Sequence, residues 1–271
     1  MILLKKKKAF QDAMKDYWHW YNKAQKLAKK DKFKKAIACF EKALTFCEDD
    51  YWAWYNRAEA LYKRGDYKQA IASYELAAQI RPNDYWTWYH RGYIALEELE
   101  QFDDALLYFK TAQTLKPNDY WTWYYQGDSW RHLQRYQDAI SCYEQALELR
   151  PNDYWACYRK GDSLRHLKQY EAAIVCYQQV TQIDTNSFWP WYKQGDSYRH
   201  LKQYANAIIA YQKAIDLEPE DDYAWYNLAC CAAQIDLIDL ATQAIKIAIS
   251  FNSQHQIIAQ SDPDLKGIKI I

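Results

Sequence analysis

Hydrophobic and polar positions along the 271 residues fall into runs of helical period, and the runs recur about every 34 residues. Units open at Asp16, Asp50, Asp84, Asp119, Asp153, Ser187 and Asp221; the next residue is position 1, so Tyr51 is position 1 of its unit. Position 4 is Trp20, Trp54, Trp88, Trp123, Cys157, Trp191 and Trp225, and position 8 is always Gly or Ala. Position 20 is Ala in every unit, position 24 is large and position 27 is small. Two such runs separated by a short polar turn predict a helical hairpin per unit, and large residues facing small ones let its helices interlock. Position 4 is expected in the core. One step is 35 residues, which places the extra residue in Glu97–Gln101, between two helices, where an insertion costs little.

End signals agree with this phase. Each opening Asp is expected to cap a first helix, and Pro82, Pro117, Pro151 and Pro219 to stop the second helix before it. Ser253 followed by Gln256 reads as a capping box, with Ile257 and Ile258 covering the end of the last hairpin and Ile268, Ile270 and Ile271 packing back. The expected organisation is a basic lead-in (1–15), seven units (16–49, 50–83, 84–118, 119–152, 153–186, 187–220, 221–252) and a capping segment (253–271).

Trp at position 4, Gly/Ala at 8, Ala at 20, an aromatic at 24, Ala at 27 and Pro at 32 together resemble the tetratricopeptide repeat (TPR) from Asp16 to about Asn252. The last unit, with Ala229, Ile238 and Ile245, matches least, and position 7, often apolar in the family, is Lys, Arg or Gln in six units. The Trp-Tyr-x-x-Gly wording is similar to bacterial arrays, especially cyanobacterial ones. The resemblance implies an all-α, right-handed α-solenoid of seven hairpins with a C-terminal capping helix, and a concave groove lined by the first helices in which ligands bind.

Composition narrows the class. No run approaches the roughly 20 apolar residues of a membrane span. Met1–Leu4 followed by Lys5–Lys8 reverses the order of an export signal, so a soluble, cytoplasmic protein is expected. Seven cysteines without Cys-x-x-Cys spacing argue against a disulfide framework or zinc site; Cys39, Cys142 and Cys176 share one position and read as small packing residues. Net charge is zero, yet residues 1–47 hold 13 basic against 4 acidic residues, a polarity that could steer an acidic partner there.

At about 100° per residue, positions 2, 5, 6, 9, 12 and 13 turn away from positions 4, 8 and 11. This outer face carries Trp18, Trp52, Trp86, Trp121, Trp155 and Trp189 at position 2 and Tyr55, Tyr89, Tyr124, Tyr158 and Tyr192 at position 5, with Tyr21 and Tyr226 in the end units. Units four to six repeat Gly-Asp-Ser-x-Arg-His-Leu, adding Asp128, Asp162 and Asp196, Arg131, Arg165 and Arg199, and His132, His166 and His200. Flat rings bordered by Asp and Arg suit stacking and charge-assisted hydrogen bonding to an extended ligand. The same residues also fit a structural use, with rings stacking between units and Asp–Arg pairs three residues apart on one helix. Equivalent histidines on stacked hairpins are expected about 9–10 Å apart, too far to share a metal, and no catalytic motif is visible. TPR proteins that clamp a C-terminal carboxylate use Lys at position 5 and Asn at 9, where this chain has Tyr and Asp. Asn22, Asn56 and Asn227 match a backbone-binding Asn at position 6, but His90, Tyr125, Arg159 and Lys193 replace it between. The sequence therefore points to a non-catalytic protein–protein interaction scaffold without cofactor or metal, binding an extended peptide or disordered segment whose acidic residues the arginines would select; single-stranded nucleic-acid binding and self-association are the alternatives.

Overall fold

The computed structural model describes residues 2–269, with residues 2–6, 9 and 10 described as backbone only. Met1, Ile270 and Ile271, which figure in the expectations above, lie outside the described residues. The chain divides into two compact units, Met1–Leu133 and Gln134–Ile271. The first contains α1 (Ile2–Ala28), α2 (Phe33–Leu44), α3 (Tyr51–Arg64), α4 (Tyr67–Ile80), α5 (Tyr85–Tyr93), α6 (Phe102–Leu115) and α7 (Tyr120–His132). The second contains α8 (Tyr136–Leu149), α9 (Tyr154–His166), α10 (Tyr170–Ile183), α11 (Phe188–His200), α12 (Tyr204–Leu217), α13 (Asp222–Ala233), α14 (Ile238–Phe251) and α15 (Gln254–Ser261). Within each unit, packing links helices that follow one another along the chain, so the core is a row of small clusters.

Those clusters are built on position 24. Phe40, Tyr74, Phe109, Tyr143, Tyr177, Tyr211 and Ile245 are all 0% exposed. Position 8 gives way to them. A Cβ on Gly92 would stand 2.7 Å from the Phe109 ring, and one on Gly195 2.9 Å from that of Tyr211, so glycine here serves close helix approach.

Five opening aspartates cap as expected, accepting the backbone N–H three residues on at 2.6–3.0 Å: Asp50, Asp84, Asp119, Asp153 and Asp221. Position 1 of the unit before reinforces several caps. The Tyr85 hydroxyl donates to Asp119 at 2.8 Å; the Tyr154 hydroxyl lies 2.7 Å from that of Ser187, whose side chain makes no cap of its own.

Four local expectations are corrected. Asp16 caps nothing, because α1 runs through it; no Gly or Pro precedes it, and a lysine- and alanine-containing stretch favours helix. The extra residue of unit three is absorbed as a π-helical turn, Ile94–Glu98, closed by Leu99 N–H on the Ile94 carbonyl at 3.1 Å, which buries Ile94, Ala95 and Leu96 in succession. The Ser253 side chain makes no cap; Asn252 Oδ1 accepts the Gln254 N–H instead. Ile257 and Ile258 are 73% and 50% exposed, and the end of α13 and α14 is covered by Ala259, Leu265 and Ile268. In the 34-residue phase Ile257 falls at position 2 and Asp264 at position 9, so the tail reads as an eighth first helix cut short at Pro263.

Candidate functional site

The face turned away from the core carries the tryptophans of position 2. Trp18, Trp52, Trp86, Trp121, Trp155 and Trp189 are 42–57% exposed, a repeated apolar surface without cover in either unit. Each ring meets the aromatic rings at positions 1 and 5 of its own helix edge-on, as Trp52 does with Tyr51 at 4.9 Å and Tyr55 at 5.9 Å. Position 5 is deeper than the helical wheel suggests. Tyr55, Tyr89, Tyr158 and Tyr192 are half-buried, Tyr124 is buried, and Tyr192 packs edge-on against Tyr211 at 5.6 Å. Burial pushes the hydroxyls of Tyr158 and Tyr192 up to about 12, so both are neutral donors near pH 7. In the first unit a cation from the end of the second helix lies over this aromatic pair: Arg81 over Tyr51 at 4.5 Å and Trp52 at 5.7 Å, and Lys116 over Tyr85 at 5.0 Å and Trp86 at 5.9 Å.

The Asp–Arg–His segment is engaged within the protein. Arg131 pairs with Asp128 at 3.2 Å and Arg165 with Asp162 at 3.3 Å; Arg165 also reaches Asp196 of the next repeat at 3.4 Å. Arg199 pairs with Asp196 at 3.7 Å and with Asp264 at 3.8 Å, so Asp264 stands where a further position-9 carboxylate would. Burial opposes the charge of Arg165, yet the Tyr177 hydroxyl and the two carboxylates hold its pKa above the ordinary value. His132, His166 and His200 stack face to face on Phe102, Tyr136 and Tyr170, each pair at 4.6 Å. The Arg165–Asp196 pair and the three histidine stacks clasp successive repeats, while the Asp–Arg pairs three residues apart close within one helix.

Position 4 also departs from expectation. Its tryptophans are half-buried rather than core, and all but Trp20, which lies inside α1, reach over the turn that precedes their helix. Trp54, Trp88, Trp123, Trp191 and Trp225 each donate their indole N–H to the carbonyl six residues earlier, at 2.7–3.3 Å. Where Cys157 replaces the indole, Gln179 Nε2 reaches the equivalent Pro151 carbonyl at 2.8 Å. Position 7 is polar for a related reason: Arg57 meets Glu41 of the preceding repeat at 2.7 Å, and Lys160 meets Glu144 at 2.9 Å. Sequence reasoning missed these links, although Glu41, Glu75 and Glu144, each sixteen residues before Arg57, Arg91 and Lys160, were a visible signal.

Position 6 varies with its neighbours. Asn56 donates to the Tyr21 hydroxyl at 3.0 Å and Asn227 to that of Tyr192 at 2.8 Å, while His90 stacks on Tyr74. The cysteines are free thiols; Cys39, Cys142 and Cys176 are buried packing residues, and burial pushes Cys157 and Cys231 up to about 12. Cys230, Asp262 and Asp264 bring three potential ligand atoms within 4.8 Å, but Tyr226 and Cys230 both donate to Asp262 there.

Family models described as tetratricopeptide repeat or TPR repeat match residues 24–63, 51–84, 87–119, 121–153, 142–175, 161–198 and 195–230. The chain belongs to the TPR family. Its fold is the all-α stacking of TPR hairpins, a protein–protein interaction scaffold. Among solved structures it is similar to the C-terminal part of a TPR repeat-containing protein from Cytophaga hutchinsonii, at 16% identity and TM-score 0.74, covering 92% of this chain and 99% of that one. YrrB, described as a TPR protein with an unusual peptide-binding site, is 23% identical at TM-score 0.61, covering 68% of this chain and 95% of its own. A MamA fragment from Desulfovibrio magneticus is 26% identical at TM-score 0.59, covering 63% and 96%. No curated protein matches in sequence. Among the described residues no helix is long and apolar enough to cross a membrane.

Proposed function

We propose that the chain is a non-catalytic adaptor whose first-helix faces bind an extended peptide or disordered segment of a partner protein. The observation that carries this reading is the set of six position-2 tryptophans, each about half exposed. A tryptophan offers roughly 150–250 Å² of surface, and repeating it at one position where nothing covers it supports a role outside the fold. One aromatic per repeat suits a ligand that runs along successive hairpins and lays one side chain on each ring. The Asp–Arg pairs form the polar rim, and Arg165–Asp196 and Arg199–Asp264 tie neighbouring hairpins together. The peptide-binding site ascribed to YrrB accords with this use of the fold.

A polyanion fits less well. Residues 134–271 contain 13 basic and 17 acidic residues, so Trp155 and Trp189 stand in a net negative unit that nucleic acid would avoid.

Selection of linear peptides from a random library on the full chain tests the reading. Enriched peptides are expected to lose at least tenfold in affinity with Trp155→Ala/Trp189→Ala while helical content is unchanged. Unchanged affinity, or a preference for single-stranded oligonucleotide with steep salt dependence, would overturn it.

A further inference from the structure

Position 6 of the sixth repeat breaks the pattern of its face. In the other repeats where contacts at this position are described, the side chain meets a partner: Asn56 and Asn227 donate to a tyrosine hydroxyl of the repeat before, His90 stacks on Tyr74, and Tyr125 stacks on Phe109 at 5.6 Å. Lys193 has a different setting. It is half-buried, and among the described residues its ammonium has no carboxylate within 4.0 Å and no hydrogen-bond acceptor. Its ammonium lies 5.9 Å from the ring of Trp189, itself 54% exposed.

The surrounding charge leaves this ammonium under-compensated. Asp162 and Asp196 are both within electrostatic reach, but each is already held by Arg165, with Arg199 and the histidines 166 and 200 adding to the claim on them. Burial, and then the charge of Arg165, push the Lys193 pKa below the ordinary lysine value, outweighing the two carboxylates. A cation kept from water without a counter-ion gains when an anion arrives, because the anion replaces lost hydration with a charge-assisted bond. Trp189 supplies the apolar wall on which the stem carrying that anion can lie.

We propose that Trp189, Lys193 and Arg165 form an anion subsite that takes a carboxylate or phosphoryl group borne by the partner segment. The subsite rests on the reading of the first-helix face as the partner surface and gives that partner a chemical character: an anionic side chain in register with the sixth repeat. Lys193 is the primary ligand, since Arg165 is already shared between Asp162 and Asp196. The stem of the anionic residue stacks on Trp189, and flanking residues continue toward Trp155.

Free anions test the subsite without any peptide. The full chain, labelled with ¹³C at lysine Cε, is titrated with acetate and with inorganic phosphate against chloride at equal ionic strength. The Lys193 resonance is assigned by its absence in Lys193→Gln, or in Lys193→Arg should the first variant fold poorly. It is expected to shift saturably, with an apparent Kd at least tenfold below that of the exposed Lys202 and Lys213. Tighter binding of phosphate identifies a phosphoryl source, and equal or tighter binding of acetate a side-chain carboxylate. A Lys193 response no different from that of Lys202 overturns the subsite. If peptides selected on the chain still depend on Trp155 and Trp189 in that event, only the subsite falls; if Lys193 binds anions but no peptide depends on the tryptophans, the extended-partner reading falls instead.

Discussion

Trp86 and Trp88 stand two residues apart on α5, yet one indole is 52% exposed while the other donates to the Pro82 carbonyl and carries Arg91 at 4.8 Å over its ring. Loss of the second ring removes packing, a hydrogen bond and a cation–π contact together. Trp88→Ala is therefore expected to lower stability by about 2–4 kcal/mol, and Trp86→Ala by under about 1, as read by urea denaturation. Equal losses would turn the position-2 rings into struts and remove the basis for a binding face. The thiols give a second check at this scale. Burial pushes Cys157 and Cys231 up to about 12, so their thiolate populations near pH 8 are negligible, and only Cys47 is half-exposed. Iodoacetamide on the native chain should label Cys47 first, and fast labelling of Cys157 would show that its pocket opens. Helical periodicity separated the two tryptophan positions but misjudged position 4. A wheel treats a helix as a cylinder of uniform surroundings, whereas the indoles of Trp54, Trp88, Trp123, Trp191 and Trp225 sit at the first turn of their helices and reach back to the carbonyls of the preceding turn.

At the scale of the element, the hairpin turns show what sequence could and could not carry. Position 15 adopts the left-handed conformation throughout: Gly65 at φ 88°, and Asp31, Glu100, Gln134, Lys168, Lys202 and Asp236 at φ 53–61°. Glycine is free of the Cβ clash that residues with side chains meet there. Lys168→Gly and Lys202→Gly are each expected to raise stability by about 0.5–1 kcal/mol, visible as an upward shift of the melting midpoint. A fall instead would mean that these lysines hold the turn by contacts beyond the backbone. The position of the turn was legible from the apolar periods alone; its handedness was not, because six of seven units lack the glycine that signals it. The π turn at Ile94–Glu98 was hidden for a similar reason, since a 35-residue step says that one residue is extra and leaves open whether loop or helix absorbs it. The Asp–Arg–His clasp needed the distance between repeats, which no single-helix wheel contains. Acid should loosen the last element first. Burial raises the Asp222 carboxyl, but hydrogen bonds from Asn252 and His255 outweigh it and hold the pKa below the ordinary value. A depressed carboxylate stabilises above its unfolded value, near pH 4, and that stabilisation is lost as pH falls through the folded pKa. Hydrogen exchange at α15 should therefore quicken below about pH 4, and Asp222→Asn should flatten that dependence.

Over the whole molecule, energy is distributed as a series of neighbour contacts. In the second unit α11 packs on α10 and α12, α12 on α13, and α13 on α14. Stability of this kind is close to a sum of repeat and interface terms, so damage should stay near where it is made. Gly195 offers a sharp lesion, because its missing Cβ already lies 2.9 Å from the buried Tyr211 ring. Gly195→Val forces the two helices apart or Tyr211 out of its rotamer, which is expected to cost about 1–3 kcal/mol by overpacking. Native-state hydrogen exchange should show protection falling in α11, α12 and the adjoining α13, while amides around Phe40 and Tyr74 in the first unit keep theirs. A uniform loss over all helices would mean that the array unfolds as one cooperative body. Local loss would mean that a partner could order or loosen single repeats, and that each exposed tryptophan reports on its own hairpin.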